Sequence, residues 1–293
     1  MQILESPSEM QSYALGARAD GRSIALVPTM GSLHAAHLSL LRLARERADI
    51  VVVSVFVNPT QFGPGEDFDN YPSAFGDDAE ACRRAGADIL FHPSADTMYA
   101  SDHSVVVEET SLSRNLCGLS RPEHFPGVTT VVAKLFNIVQ PHVAVFGAKD
   151  AQQARVIQRM TRDLNFPIEI IVASTVREED GLAMSSRNAL LTPPQRAEAR
   201  RIRQALLSAK ALIDGGERDP EPIRRHILGR LNESPHLEID YVGIVDWERL
   251  RPVERINALT LIAVAVRIGN TRLIDNIMPA RDAFPDSSRQ SSP

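Results

Sequence analysis

Residues 50–57, Ile-Val-Val-Val-Ser-Val-Phe-Val, constrain the fold more than any other stretch of this chain. A strand with one wet face alternates polar and apolar side chains. This run has no polar face, so both of its sides must be covered, as in a parallel sheet between layers of helix. Eight residues are far too few for the ~20 that a membrane-spanning helix needs. The apolar run at 259–266 is equally short and reads as a second buried strand.

The surrounding chain repeats the same grammar. Short apolar runs at 23–27, 89–91, 143–146 and 169–173 alternate with helical stretches near 33–47, 77–85, 129–139 and 151–164. Strand and helix in strict alternation predict a doubly wound, Rossmann-like parallel sheet, an α/β fold. After Leu191 the texture changes. Thr192-Pro193-Pro194-Gln195 reads as an N-cap followed by prolines suited to a helix start. An Arg- and Ala-rich helix then runs to Asp214, where Gly215-Gly216 ends it. A helix near 221–232 and strands at 237–245 and 259–266 complete a smaller α+β unit. The expected organisation is a catalytic domain over 1–175, a C-terminal α+β lid domain over 176–282 and a disordered tail over 283–293.

At 293 residues the chain is long enough for about two domains of ~150 residues. A net charge of -5 argues against a nucleic-acid partner, which calls for a basic surface. Two cysteines, Cys82 and Cys117, are too few for a disulfide framework and fit a reducing cytoplasm. The N-terminal residues lack a basic stretch followed by an apolar core, so no signal peptide is expected.

Chemistry concentrates at the strand ends. Pro28-Thr29-Met30-Gly31-Ser32-Leu33-His34-Ala35-Ala36-His37 follows the first predicted strand and opens a helix. The first turn of a helix carries unpaired N–H groups and a positive dipole, which welcome phosphate. His34 and His37 are three apart and share one helix face. Imidazoles there can donate to charge that builds up at phosphorus. As ordinary residues they would be surface histidines or two metal ligands, but zinc would want a third ligand and none stands nearby. An H-x-x-H in this strand–turn–helix context resembles the HIGH signature of the nucleotidyltransferase superfamily.

Phe56 to Pro72 leaves the carboxyl end of the central strand, where open α/β sheets place their ligands. Asn58 and Gln61 there offer neutral amides to a carboxylate or hydroxyl, although Asn-Pro is also a common turn. Phe146-Gly147-Ala148-Lys149-Asp150-Ala151-Gln152-Gln153 again joins a strand to a helix and sets Lys149 as a point charge for phosphate. In 176–188, Ser185, Ser186 and Arg187 supply hydroxyls and a guanidinium suited to triphosphate oxygens.

These four segments in this order, together with Arg121-Pro122-Glu123-His124-Phe125-Pro126-Gly127-Val128 and Thr271-Arg272-Leu273-Ile274-Asp275-Asn276, resemble the pantothenate synthetase family. The likeness runs from about Val27 to Ile277. It implies ATP-dependent joining of pantoate and β-alanine through a pantoyl adenylate, with AMP and pyrophosphate released, Mg²⁺ as the metal, and a homodimer. By position, Met30 through His37 would line the ATP site with Gly147, Ala148, Lys149, Asp150, Val176, Met184, Ser185, Ser186 and Arg187. His37 would be the proton donor, with His34, Lys149 and Asn58 beside it in the chemistry. Gln61, Gln153 and Asn58 would hold pantoate and β-alanine, and Asp77 of the pair Asp77-Asp78 would meet Mg²⁺. The chain departs from the family pattern at Ala36, Ala148 and Ala151. A nucleotidyltransferase that stops at an adenylylated product, or a non-catalytic nucleotide-binding protein, are the competing readings.

Overall fold

The computed structural model describes residues 1–66, 68, 71–72, 74–280 and 284. Asp67, Asp69 and Asn70 of the second segment, and all of the expected disordered tail except Phe284, lie outside the described residues. The chain runs β1 (Gln2–Leu4), α1 (Pro7–Ala19), β2 (Ile24–Thr29), α2 (Ala35–Arg45), β3 (Ile50–Val55), α3 (Phe75–Arg84), β4 (Ile89–Phe91), α4 (Ala95–Met98), α5 (Cys117–Ser120), α6 (His124–Val139), β5 (Val143–Gly147), α7 (Ala151–Asp163) and β6 (Glu169–Ala173). It continues with α8 (Pro193–Asp214), α9 (Pro220–Asn232), β7 (Leu237–Asp246), β8 (Thr260–Ile268) and β9 (Thr271–Ile277).

The first six strands form one parallel sheet in the order β1-β4-β3-β2-β5-β6. Every residue of β3 is buried, as its unbroken apolar run requires. One face packs Ile24, Leu26, Ile50 and Val52 against α1 and α6, and the other packs Ala25, Val27, Val51 and Val53 against α2 and α3. From β2 the chain winds out through β3 to β4, then returns to the other side of β2 for β5 and β6. The order therefore reverses between β2 and β5, and a crevice opens at the carboxyl ends of such strands.

The second sheet is antiparallel, β7-β8-β9, and packs on α8 and α9 through Ile202, Leu206, Ile223, Ile227 and Val264. Thr192 starts α8 as its sequence predicts: its N–H donates to Gln195 Oε1 at 2.9 Å, the reciprocal half of a capping box. Among the described residues no helix is long and apolar enough to cross a membrane.

Five elements were not anticipated: β1, α1, the four-residue helices α4 and α5, and β9. β1 and α1 carry weak periodicity, and β9 alternates buried and part-buried residues around charged Arg272 and Asp275. The helix expected from 129 begins five residues earlier, at His124, with Pro126 held in its first turn, where a missing N–H costs little.

Candidate active site

A cavity of about 1250 Å³ lies at the carboxyl ends of β2, β3, β5 and β6 and is closed on its far side by β8 and β9. All four chemistry-bearing segments reach it. Met30, His34, Ala36 and His37 come from the β2–α2 junction, and Gln61 from the 3-10 turn Pro59–Gln61 after β3. Gly147, Lys149, Asp150 and Gln153 come from the β5–α7 junction, and Val176, Met184, Ser185, Ser186 and Arg187 from the segment after β6. The adjacent glutamines part company. Gln152 gives its whole amide to backbone, accepting from Cys117 N–H at 2.9 Å and donating to Leu112 and Asn115 carbonyls at 2.9 and 2.6 Å, and so pins the floor.

The turn before α2 is built differently from the expectation. Gly31 has φ +92°, and a Cβ there would stand 3.0 Å from Asp78 Oδ2. The carboxylate of Asp78, buried on α3, takes the Ser32 N–H at 2.9 Å and the Leu33 N–H at 2.6 Å. Those two amides hold the turn rather than waiting for phosphate, and Gly31, Ser32, Leu33 and Ala35 do not line the cavity. The positive end of α2 faces the cavity through the two histidines instead. Ala148 is likewise fully buried behind the cavity wall.

His34 caps α2, and its ring stacks on His37 with centroids 4.1 Å apart. The His34 N–H donates to His37 Nδ1 at 3.3 Å. With Nδ1 an acceptor, the proton of a neutral His37 sits on Nε2. Burial, then the charges of a protonated His34 and of Lys149, push the His37 pKa down to about 3. Burial and Lys149 lower that of His34 too. His37 is therefore a neutral N–H donor near pH 7, not an imidazolium.

Gln61 is oriented by its neighbour. Its Oε1 accepts from Asn58 Nδ2 at 3.1 Å, so its NH₂ points the other way, where its contact is the weak acceptor Met30 Sδ at 3.0 Å. Asn58 itself is 1% exposed and does not reach the cavity. Its second amide contact is the Gly127 carbonyl at 3.1 Å, and its Oδ1 accepts from Tyr99 and Thr60 hydroxyls at 2.8 and 3.0 Å. Each side-chain polar atom of Asn58 thus has partners within the protein, and one of those contacts orients Gln61.

Sequence reasoning gave no role to Arg121, His124 or Glu66, which frame Gln61. Arg121 grips Glu66 with two 2.6 Å bonds, and both Arg121 and His124 Nδ1 reach the Gln61 carbonyl, at 3.3 and 3.0 Å. Arg121 and His124 stand in the 121–128 stretch and Glu66 in the 56–72 stretch, but none of them carries a spacing that separates a site from a loop. Burial first, then Arg121, brings the His124 pKa down to about 4.

These shifts have a consequence for stability. A histidine starts from 6.5 in the unfolded chain, so below that value the unfolded state binds protons that folded His37 and His124 refuse. Stability is full above about pH 6.5 and falls as pH drops toward the folded values. The expected loss at about pH 5 is roughly 2 kcal/mol for each histidine. Urea unfolding at about pH 7.5 and 5 checks this, and His124→Gln should lose less than wild type. Equal stability at the two pH values would contradict the assignment.

The residues present do not fit a resident Mg²⁺ site. Asp77 is exposed on α3 and does not line the cavity, and both oxygens of Asp78 hold the Ser32–Leu33 turn. Among the described residues no three His, Cys, Asp or Glu side chains group as metal ligands. Magnesium commonly arrives with substrate phosphates and few protein carboxylates, which is the arrangement this cavity permits.

The family model for pantoate–beta-alanine ligase matches residues 2–278. Pantothenate synthetase of Thermotoga petrophila is 52% identical over 276 residues, 94% of this chain and 99% of that protein. That of Moorella thermoacetica is 52% identical over 278 residues, 95% and 98% of the two chains. The crystal structure of pantothenate synthetase from Thermus thermophilus superposes with a TM-score of 0.91 at 41% identity, covering 96% of this chain and all of that one. A pantoate–beta-alanine ligase from Francisella tularensis, solved in complex with beta-gamma ATP and beta-alanine, gives a TM-score of 0.78 at 31% identity, covering 96% and 98%. The chain belongs to the pantoate–beta-alanine ligase family of amide-forming ligases.

Proposed function

We propose that this chain condenses pantoate with β-alanine in two steps driven by ATP, with the residues above in the following roles. The observation that carries the reading is the convergence of all four segments on one cavity at the switch point between β2 and β5. A pantoate carboxylate oxygen attacks the α-phosphorus of ATP, and pyrophosphate leaves. The β-alanine amine then attacks the acyl carbon, AMP leaves, and the amine proton is released. The carboxylate is itself the nucleophile, so the protein's part is positioning and charge stabilisation.

His37 Nε2–H and the Lys149 ammonium face the phosphates as a neutral and a charged donor, with His34 stacked beside them. Ser185, Ser186 and Arg187 hold the departing pyrophosphate oxygens. The fixed NH₂ of Gln61 donates to pantoate, opposite Gln153. Mg²⁺ bound with the nucleotide would offset phosphate charge. The proposal assigns 1–175 to catalysis and 176–282 to the lid. In support, the last parallel strand ends at Ala173, and Arg267, Thr271 and Arg272 of the second sheet region line the same cavity. It includes the family's homodimer and a reducing cytoplasm, and the two cysteines accord with the latter by being free and buried.

The test is AMP release from ATP by the purified protein with each acid omitted in turn. The proposed reaction needs both pantoate and β-alanine for sustained AMP release. Sustained release with either one alone, or accumulation of a stable adenylylated product as the end point, would instead favour a different member of the superfamily.

A further inference from the structure

The Thr271–Asn276 stretch has no part in the reaction as described, yet two of its residues hold both phosphate-side loops. Asn276 lies on β9 and is 5% exposed. Its Nδ2 donates to the carbonyls of Ala148 and of Lys149, each at 2.9 Å. The 3-10 turn Ala148–Asp150 is too short to satisfy these carbonyls within itself. Two carbonyl acceptors fix which end of the amide is NH₂, and leave Asn276 Oδ1 buried without a hydrogen-bond partner. A buried amide oxygen without a partner calls for an explanation, and the two bonds made at the other end of the same amide supply one.

The preceding residue does the same for the other loop. Asp275, 1% exposed, forms a two-pronged pair with Arg177 at 2.7 and 3.0 Å, and also accepts the Asn276 N–H at 2.8 Å. Arg177 in turn donates to the Gly181 carbonyl at 3.2 Å and pairs in register with Ala183, one residue before Met184 and Ser185. Consecutive residues of one C-terminal strand thus brace the lysine turn and the serine–arginine segment.

We propose that Asn276 is a positioning residue for Lys149: it fixes the backbone from which the lysine reaches phosphate, and so makes adenylation depend on docking of the C-terminal sheet against the β5–α7 junction. This rests on the role proposed above for Lys149. A misplacement of about 1 Å can cost on the order of 10²-fold in rate. Loss of two turn bonds is therefore expected to slow adenylation by roughly 10- to 100-fold, with the KM for ATP changed far less than kcat.

The test is a double-mutant cycle on pantoate-dependent pyrophosphate exchange, using Asn276→Ala, Lys149→Ala and the pair, with melting temperatures measured alongside. If Asn276 acts through Lys149, its substitution slows the wild type 10- to 100-fold but slows Lys149→Ala by less than about twofold, because residues acting as a unit are not additive. A purely structural asparagine would subtract the same factor from both backgrounds, and that result, or a wild-type rate in Asn276→Ala, overturns the proposal. A wild-type rate in Lys149→Ala overturns the reading of the lysine and the proposal that rests on it. If Asn276→Ala does not fold, Asn276→Asp, equal in shape but with no N–H to give, is put through the same cycle and judged by the same outcomes.

Discussion

His37→Ala is expected to slow adenylation by about 10²–10³-fold while leaving the protein folded, because removing one preorganised donor to developing charge costs on that order. The donor is preorganised in two ways. Its Nδ1 is tied to the His34 N–H at 3.3 Å, and its ring is stacked on His34, so the Nε2–H direction is fixed before substrate arrives. Lys149→Ala should cost a comparable factor by removing the cation across the cavity. The depressed His37 pKa adds a discriminating detail: a donor already neutral at pH 7 does not titrate across the working range. The His37-dependent part of the rate should be flat from about pH 6 to 8, outside the window in which a group titrating near 3 changes charge. His37→Gln, which keeps an N–H near the Nε2 position, should lose less than His37→Ala. Single-turnover adenylation measures all of these. A His37→Ala rate within a few-fold of wild type would remove the residue from the chemistry.

Gly127→Ala is expected to destabilise the protein and impair pantoate use together, although glycine-to-alanine inside a helix ordinarily stabilises by up to ~1 kcal/mol. Gly127 lies in α6 where that helix crosses the turn carrying Gln61. A Cβ there would meet the Thr60 carbonyl oxygen at 2.3 Å, its carbon at 2.5 Å and Gln61 Cα at 2.6 Å. All three are backbone atoms, so no side chain can swing away. Either α6 retreats or the Pro59–Gln61 turn is displaced, and overpacking of this kind costs roughly 1–3 kcal/mol. The Asn58–Gly127 carbonyl bond, which helps orient Gln61, is strained by the same shift. Calorimetry should show a lower melting temperature and a larger loss of affinity for pantoate than for ATP. A melting temperature at or above wild type would mean that the helix and turn can separate freely.

The parallel sheet was legible in the sequence because its signal is local. Residues 50–57 have no polar face, and the intervening helices repeat at 3.6. β9 was not, since Arg272, Asp275 and Asn276 break any apolar alternation. Their pairing with Asp240, Arg177 and the Lys149 turn exists only after folding. The site shows the same division. His34, His37, Gln61 and Lys149 could be placed at strand ends from the sequence. Which of two amides is left free for a ligand could not: Gln153 from Gln152, or the donor Gln61 from the support Asn58, is decided by partners 35 to 69 residues away. Asp77 and Asp78 are indistinguishable as letters. Helix phase buries Asp78 under the Gly31 turn and leaves Asp77 exposed.

The order of the two chemical steps is tested most directly by exchange of labelled pyrophosphate into ATP. If pantoate attacks ATP first, exchange occurs with pantoate and Mg²⁺ alone, requires no β-alanine, and falls sharply in His37→Ala and Lys149→Ala. Exchange that appears only when β-alanine is added would contradict a free-standing adenylation step, and with it the roles given to these two residues.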